Sequence, residues 1–357
     1  MAPPELVLVL NMGSSSVKAA LIWAGGTCRP WHGEQALQGR PVSQVLEVWL
    51  EPALAAWWPS IRLAGHRVVH GGADLIAPTR LGPAVLQQLE AVVPLAPLHN
   101  GPALEAIHWL TAQRPQLPQW ACFDTAFHSS LTPAAYSYAL PRSWREQGLR
   151  RFGFHGLNHQ HVAASAADQW RAAGGEKLPR LVSCHLGAGC SLAAIREGRS
   201  VDTTMGYTPL DGLVMASRSG AVDPGLLLHQ LRQGISPGLL DQVLSQESGL
   251  LGLSDLSGDW RELRSAAAAG HSGAALALDV FRHNLIKGIG AMAASAGGVD
   301  VVALSGGIGA NDRHLLRELQ EALHWWPAVT FLQIPADEEG MIARLCWQGE
   351  AELTNGR

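Results

Sequence analysis

At 357 residues the chain exceeds the roughly 250–300 at which a single hydrophobic core usually divides, so two domains are expected. The composition is that of a globular protein, 47% hydrophobic and 16% charged, and a net charge of −4 provides no global field for nucleic acid or an anionic membrane. Every apolar run falls short of the roughly 18 residues that span a bilayer, and MAPPELVLVL lacks a basic n-region. The five cysteines, at 28, 122, 184, 190 and 346, have neither CxxC spacing nor an even count. A reduced, cytoplasmic protein is expected, in which local positive charge must hold any anion.

The first informative stretch is LVLVLNMGSSSVKAALIW, residues 6–23. Leu6–Leu10 has the length of a buried strand and Val17–Trp23 reads as its return partner. Asn11, Gly13, Ser14, Ser15 and Ser16 then lie on the connecting turn. Glycine lets backbone approach an anion closely, and hydroxyls with backbone N–H groups donate to it, so the turn suits a phosphate. Lys18 could add a point charge. The plain alternative is an ordinary polar hairpin. Gln35–Trp58 and Pro83–Val93 carry helical spacing, and Pro94–Pro102 reads as a rigid loop before a helix over Ala103–Ala112.

Arg67 lies in GHRVVHGG, and Asp124 follows WACF at an expected strand end, where α/β proteins tend to place functional side chains. The domain crossing is expected soon after Trp120–His128. In FGFHGLNHQH, His155, His159 and His161 superficially resemble a zinc site, but Gly156 is expected to interrupt the helix that such spacing needs. A His155 that donates to a phosphoryl oxygen is the stronger reading. Leu181–Ile195, LVSCHLGAGCSLAAI, repeats the first hairpin with its turn at Gly187–Gly189, and Cys184 and Cys190 are expected to be buried beside it. Arg218 sits in SRSGAVDPG, too rich in turn formers for a core element. Ala266–Ala296 is expected to form two helices separated around Gly270–Gly273. VVALSGGIGAND, Val301–Asp312, reads as a buried strand entering a Gly-rich turn and then a helix, where a nucleotide can lie against backbone.

Two hairpins of one type, about half a chain apart, suggest two related domains facing each other across a nucleotide cleft. Neither GxxxxGK[ST] nor the protein-kinase signature set occurs. For each charged residue alone, a structural salt bridge is the simpler explanation. Together, one carboxylate and two guanidiniums from distant segments fit phosphoryl transfer, in which a protein mainly positions reactants and neutralises spreading charge.

The set LNMGSSSVK, GHRVVHGG, APLHNGP, FDTAFH, RFGFHGLNH, HLGAG, TPLDGL, SRSGAVDPG, SGDWREL, SGGIGAN and EEGMIAR closely resembles the acetate kinase family, in family order and from end to end. The resemblance implies an α/β fold of two duplicated actin-like ATPase (ribonuclease H-like) domains. It also implies reversible transfer of the ATP γ-phosphoryl group to a short-chain carboxylate, Mg²⁺ with Mn²⁺ as an alternative, and a homodimer. The first domain is placed at residues 1–126 with 340–357 returning to it, and the second at 127–339. By motif, Asn11 and Glu338 would arrange the metal, and Ser14, Ser16 and Lys18 would belong to the first phosphate hairpin. Arg67 and Arg218 would hold the substrate carboxylate and the transferring group, with Asp124 orienting the nucleophile or Arg218. His155 and His185 would stabilise equatorial phosphoryl oxygens, with His99 near the substrate. Val69, Leu98, Phe154 and Pro209 would form the pocket for the acyl methyl. His185, Leu186, Gly187, Ala188 and Gly189, then Asp259, Trp260 and Arg261, then Gly307, Ile308, Gly309, Ala310 and Asn311 would contact the nucleotide.

Several residues depart from the family pattern. HLGAG stands where HLGNG is usual, GIGAN where GIGEN is usual, and ADEE where TNEE is usual. SGAVDP replaces the more polar SGDxDP, and the chain is shorter than typical members. Ala188 and Ala310 therefore point to altered donor preference or weaker nucleotide binding. Propionate or butyrate as acceptor is an alternative, because one methylene in an apolar pocket is worth only about 1–3 kcal/mol. A non-catalytic nucleotide-binding regulator is the alternative from another class, and the paired arginines weigh against it. A sugar kinase is disfavoured because Arg67 suits an anionic acceptor.

Overall fold

The computed structural model describes residues 5–13, 15–24, 28–326 and 328–355, which fall into two compact units. One runs through Phe127 and takes in Gly156–Asn158 and the chain from Asp337; the other holds His128–His155 and His159–Ala336.

In the first unit, β1 (Leu6–Met12) is buried at every position, as expected of a central strand covered on both faces. It turns back into β2 (Ser16–Trp23) in antiparallel register, Asn11 opposite Lys18, and the Gly13 amide closes the turn on the Ser16 carbonyl at 2.8 Å. The edge strand β3 (Trp31–Ala36) alternates between half-buried and exposed positions. With β4 (Ile61–Val68), β5 (Thr79–Arg80) and β6 (Gln119–Phe123), the sheet order is β3-β2-β1-β4-β6-β5, and β4 runs parallel to both β1 and β6. Period-two alternation divides the core. Leu6, Leu8 and Leu10 join Ala106, Ile107 and Leu110 of the helix Pro97–Gln113, whereas Val7 and Val9 join Ile342, Ala343 and Cys346 of the helix Glu338–Asn355. The second face is packed so closely that a Cβ at Gly65 would meet Ile342 Cγ2 at 2.6 Å.

The second unit repeats this wiring. β7 (Leu181–Leu186), β8 (Cys190–Arg196) and β9 (Arg199–Thr203) are successive antiparallel neighbours, β10 (Val301–Ser305) pairs in parallel with β7, and β11 (Thr330–Gln333) in parallel with β10. The order β11-β10-β7-β8-β9 is that of β6-β4-β1-β2-β3, which is the duplication the two hairpins suggested. Helix Ser272–Ala296 buries Ala277, Phe281, Leu285 and Ile289, an i, i+4 stripe.

The strands and hairpins lie where the apolar runs place them, but two segments differ from expectation. Gln35–Trp58 opens on the end of β3, is helical between Val42 and Leu54, and ends where a short 3-10 turn begins at Trp58. Pro94–Pro102 is not a loop. Its helix begins at Pro97, where the fixed φ of proline and its missing N–H are tolerated, and the Ala96 carbonyl accepts the His99 and Asn100 amides. Pro102 lies inside that helix. The Ala-rich stretch does divide, into Trp260–Ala268 and Ser272–Ala296, with Gly270 at φ 93° between them. Among the described residues all five cysteines are free thiols, and no helix is long and apolar enough to cross a membrane.

Buried histidines make the fold acid-sensitive. Burial lowers His66 and His128 from 6.5 to about 4, with hydrogen bonds to Gln119 and to the Phe154 carbonyl opposing the shift. Between those values the unfolded chain binds protons that the folded chain excludes, so stability falls as the pH drops from 6.5 toward 4. We expect a loss of about 2 kcal/mol per histidine between pH 7 and pH 5, read from urea unfolding midpoints. Equal midpoints at the two values would contradict this.

Candidate active site

In the first unit the site residues stand at the C-terminal ends of three parallel strands. Register sets Asn11 of β1 beside Arg67 of β4, and Arg67 beside Cys122 of β6, two residues before Asp124. Arg67 Nε donates to Asp124 Oδ1 and Oδ2 at 3.1 and 3.2 Å, Nη2 donates to Oδ2 at 2.6 Å, and Nη1 donates to Asn11 Oδ1 at 3.1 Å. Asn11 Nδ2 donates to Glu339 Oε1 at 3.3 Å, and Arg29 pairs with both Asp337 and Glu339. Burial alone would lower Arg67, but Asp124, together with the negative charges of Glu338 and Glu339, raises it and holds it charged. Burial pushes the Asp124 carboxyl up, and Arg67 opposes that. Asp124 thus orients Arg67.

The first hairpin is less open to an anion than its sequence suggests. Ser16 Oγ donates to Glu34 Oε1 at 2.8 Å, and Lys18 Nζ lies 4.0 Å from Glu34 Oε2, because β3 brings that carboxylate alongside. Ser14 lies outside the described residues. Val69 is buried and His99 half-buried, but Leu98 is 67% exposed.

In the second unit the turn after β7 is closed by the Gly187 amide on the Gly189 carbonyl at 3.0 Å, and the Ala188 carbonyl accepts the Ala216 amide at 3.1 Å. His155 adopts the left-handed conformation, φ 57°, at the entry to the helix Gly156–Ala172, an uncommon state for a non-glycine residue that tends to mark function. Its ring stacks on His185 with centroids 4.2 Å apart. A Cβ at Gly189 would sit 3.2 Å from His155 Nε2, a tight contact, and 3.8 Å from Arg218 Nη1, so hairpin, imidazole and guanidinium are close together. Arg218 is half-buried and forms no salt bridge among the described residues; its guanidinium donates to Met215 Sδ at 3.9 Å. Burial lowers its pKa.

Beside this turn lies a cavity of about 420 Å³ lined by Gly187, Ala188, Ala216, Gly258, Asp259, Trp260, Arg261, Gly307, Ile308 and Asn311. Three separate sequence segments proposed for nucleotide contact meet there. His185, Leu186, Gly189, Gly309 and Ala310 do not line it. Leu186 is buried, with its carbonyl 2.5 Å from where a Cβ at Gly306 would be. Asp259 caps the helix Trp260–Ala268 through the Arg261 and Glu262 amides, and Trp260 Nε1 donates to Asp312 Oδ2 at 2.6 Å. Phe154 is fully buried, and Pro209 is half-buried in a turn.

Gly156 does not interrupt the helix at the histidines but begins it, so His159 and His161 are helical. Both ring nitrogens of His159 bond serine hydroxyls, His161 Nε2 donates to the Pro335 carbonyl at 3.1 Å, and no group of three metal-ligating side chains occurs among the described residues. Sequence reasoning left open whether Glu338 or Glu339 stands closer to the metal, and it missed Ala216, Gly258, Ser183 and Ser191. The alternation of β7, which puts Ser183 and His185 on one face, is the one signal that could have drawn attention to a serine.

A duplicated sheet with Gly-rich hairpins, and with polar side chains at parallel strand ends, is the actin-like ATPase-type fold of solved kinases that act on short-chain carboxylates. A propionate kinase from Francisella tularensis superposes with a TM-score of 0.86 at 31% identity, covering 96% of this chain and 98% of that one. An acetate kinase from Porphyromonas gingivalis gives 0.85 at 31%, covering 95% and 98%. The acetate kinase of Deinococcus radiodurans is 42% identical over 386 residues, 94% of this chain and 96% of that protein. That of a Synechococcus strain is 47% identical over 341 residues, 85% and 84%. A family model described as the Acetokinase family matches residues 25–328, and the chain belongs to that family.

Proposed function

We propose that the protein transfers the γ-phosphoryl group of ATP to acetate, giving acetyl phosphate and ADP. A carboxylate oxygen attacks the γ-phosphorus in line; the new C–O–P linkage forms as the bond to the departing ADP oxygen breaks. The observation that carries this reading is Arg218, a half-buried guanidinium beside a Gly-rich turn with no carboxylate partner among the described residues. A cation in that state is suited to charge that arrives with a substrate.

Arg218 stabilises the transferring group, and Arg67, held in place by Asp124, receives the acceptor carboxylate. That carboxylate is already ionised near neutral pH, so no strong general base is required. His155 and His185 donate to phosphoryl oxygens, with His99 near the acceptor and Val69, Leu98, Phe154 and Pro209 around the acyl group. The cavity lined by Gly187, Asp259 and Gly307 takes the nucleotide. The Asn11 amide oxygen and the Glu338 carboxylate are hard donors that suit Mg²⁺, which commonly binds one or two carboxylates together with phosphates and water. Glu339, in contact with Asn11, would complete that set. The ion, or Mn²⁺ in its place, would offset phosphate charge.

The test is ADP formation with ATP and Mg²⁺ in the presence of acetate, propionate, butyrate or no acceptor, with hydroxylamine trapping any acyl phosphate. Acetate-dependent hydroxamate is expected; nucleotide binding without trapped product would overturn the proposal in favour of a regulator. Propionate is the second reading, because the solved propionate and acetate kinases match this fold equally well.

Helices Pro224–Arg232 and Pro237–Gln246 bury none of their residues and expose Leu226, Leu228, Leu231 and Leu239. This supports a homodimer through that apolar face. Leu226→Glu should lower the mass seen by light scattering from dimer to monomer, and an unchanged mass would place the interface elsewhere. Five free thiols support a cytoplasmic location.

A further inference from the structure

Ser183, His159, Ser191 and His155 form a continuous buried chain in the second unit. His159 Nδ1 lies 2.8 Å from Ser183 Oγ, His159 Nε2 lies 2.8 Å from Ser191 Oγ, and Ser191 Oγ lies 2.9 Å from His155 Nδ1. Ser183, Ser191 and His159 are all 0% exposed. The elements make this chain possible. Ser191 of β8 is directly opposite His185 of β7, Ser183 precedes His185 by one strand repeat, and His159 follows His155 by about one helical turn.

Counting hydrogens fixes the direction of the chain. Among the described residues the one hydrogen-bond partner of the Ser183 hydroxyl is His159 Nδ1. If that nitrogen donated to Ser183, the serine proton would be buried without an acceptor, a costly state. The hydroxyl therefore donates, and Nδ1 accepts. Burial, with His128 and His185 nearby, holds His159 well below its ordinary pKa, so its ring is neutral and its single proton sits on Nε2. Nε2–H donates to Ser191 Oγ, and Ser191 in turn donates its own proton to His155 Nδ1. His155 is left with its proton on Nε2, the nitrogen that faces Gly189 and Arg218.

We infer that Ser191, anchored by His159 and Ser183, is a positioning residue that sets the tautomer of His155 so that the neutral ring presents Nε2–H as a donor toward the hairpin turn. The catalytic consequence rests on the role proposed for His155 above; the tautomer does not. A histidine fixed in this way donates to an anionic oxygen without first being protonated. The opposite tautomer would require reversing every bond of the chain and stranding the Ser183 proton. The His155 ring stacks on His185, and a Cβ at Gly189 would sit 3.2 Å from its Nε2.

The test is ¹⁵N NMR of ring-labelled protein without substrates, together with turnover. In the parent protein His155 should show a protonated Nε2 and an unprotonated Nδ1; the reverse overturns the inference. In Ser191→Ala the Nδ1 signal should move toward the averaged position of a ring free to exchange tautomers, with turnover lower by on the order of tenfold. Ser191→Thr should restore both, and Ser183→Ala, which touches His159 alone, should shift the His155 signal in the same sense. A tautomer unchanged in Ser191→Ala and Ser183→Ala overturns the relay. A tautomer that moves while turnover holds keeps the relay and instead counts against a catalytic role for His155, which His155→Ala checks separately.

Discussion

Arg218→Ala should lower turnover by on the order of 10³, the scale at which arginines serve phosphoryl transfer. The expectation follows from what Arg218 lacks. Several guanidiniums in the second unit are held by carboxylates: Arg180 by Asp300, Arg264 by Asp312 and Glu318, Arg151 by Asp211. Arg218 has no such partner among the described residues, so removing it deletes no ion pair and should leave the unfolding midpoint within about 0.5 kcal/mol of the parent. Arg218→Lys should recover little, because a point charge does not reproduce a planar fork. The measurement is steady-state turnover on protein shown to be folded and still able to bind nucleotide. A loss below tenfold would remove Arg218 from the chemistry.

Asp124→Ala should have the largest effect on stability. Arg67 has only 16% of its side chain exposed, and three of its donor contacts go to Asp124. Deleting the carboxylate leaves a buried cation with Asn11 as its remaining close acceptor, and removing one member of a buried pair costs roughly 3–5 kcal/mol. The effect of removing both charges should be smaller than the sum of the two single effects, since Asp124→Leu combined with Arg67→Leu strands no charge. Urea unfolding of the two single variants and the double variant tests this. An Asp124→Ala loss below about 1 kcal/mol would mean that Glu338 and Glu339 already neutralise Arg67.

Local chemistry announced much of this architecture. Leu6–Leu10, Leu181–Leu186 and Val301–Ser305 are apolar runs of strand length bounded by glycines, and strands form there. Pro97 was harder to read, since proline breaks a helix in its interior and favours one at its first position, and sequence alone does not say which end is near. The partner of Asp124 could not be read either. Arg67 is 57 residues away, and only the parallel pairing of β4 with β6 puts the two together. Glu34 is the same lesson with the opposite sign. A turn rich in serine and followed by lysine gives no sign that the neighbouring strand sets a carboxylate beside both groups.

The repeated strand order has an evolutionary corollary. Each unit builds its functional edge from its own β-β-β-then-parallel sheet, the first carrying the Arg67–Asp124 pair and the second the cavity between Gly187 and Asn311. Substitutions that retune one edge need not disturb the core beneath the other. Ala188 and Ala310, two of the departures from the family pattern, both fall in the second unit. With the roles proposed above, drift in the choice of phosphate donor leaves the acceptor edge unchanged, a modularity that a duplicated sheet makes available.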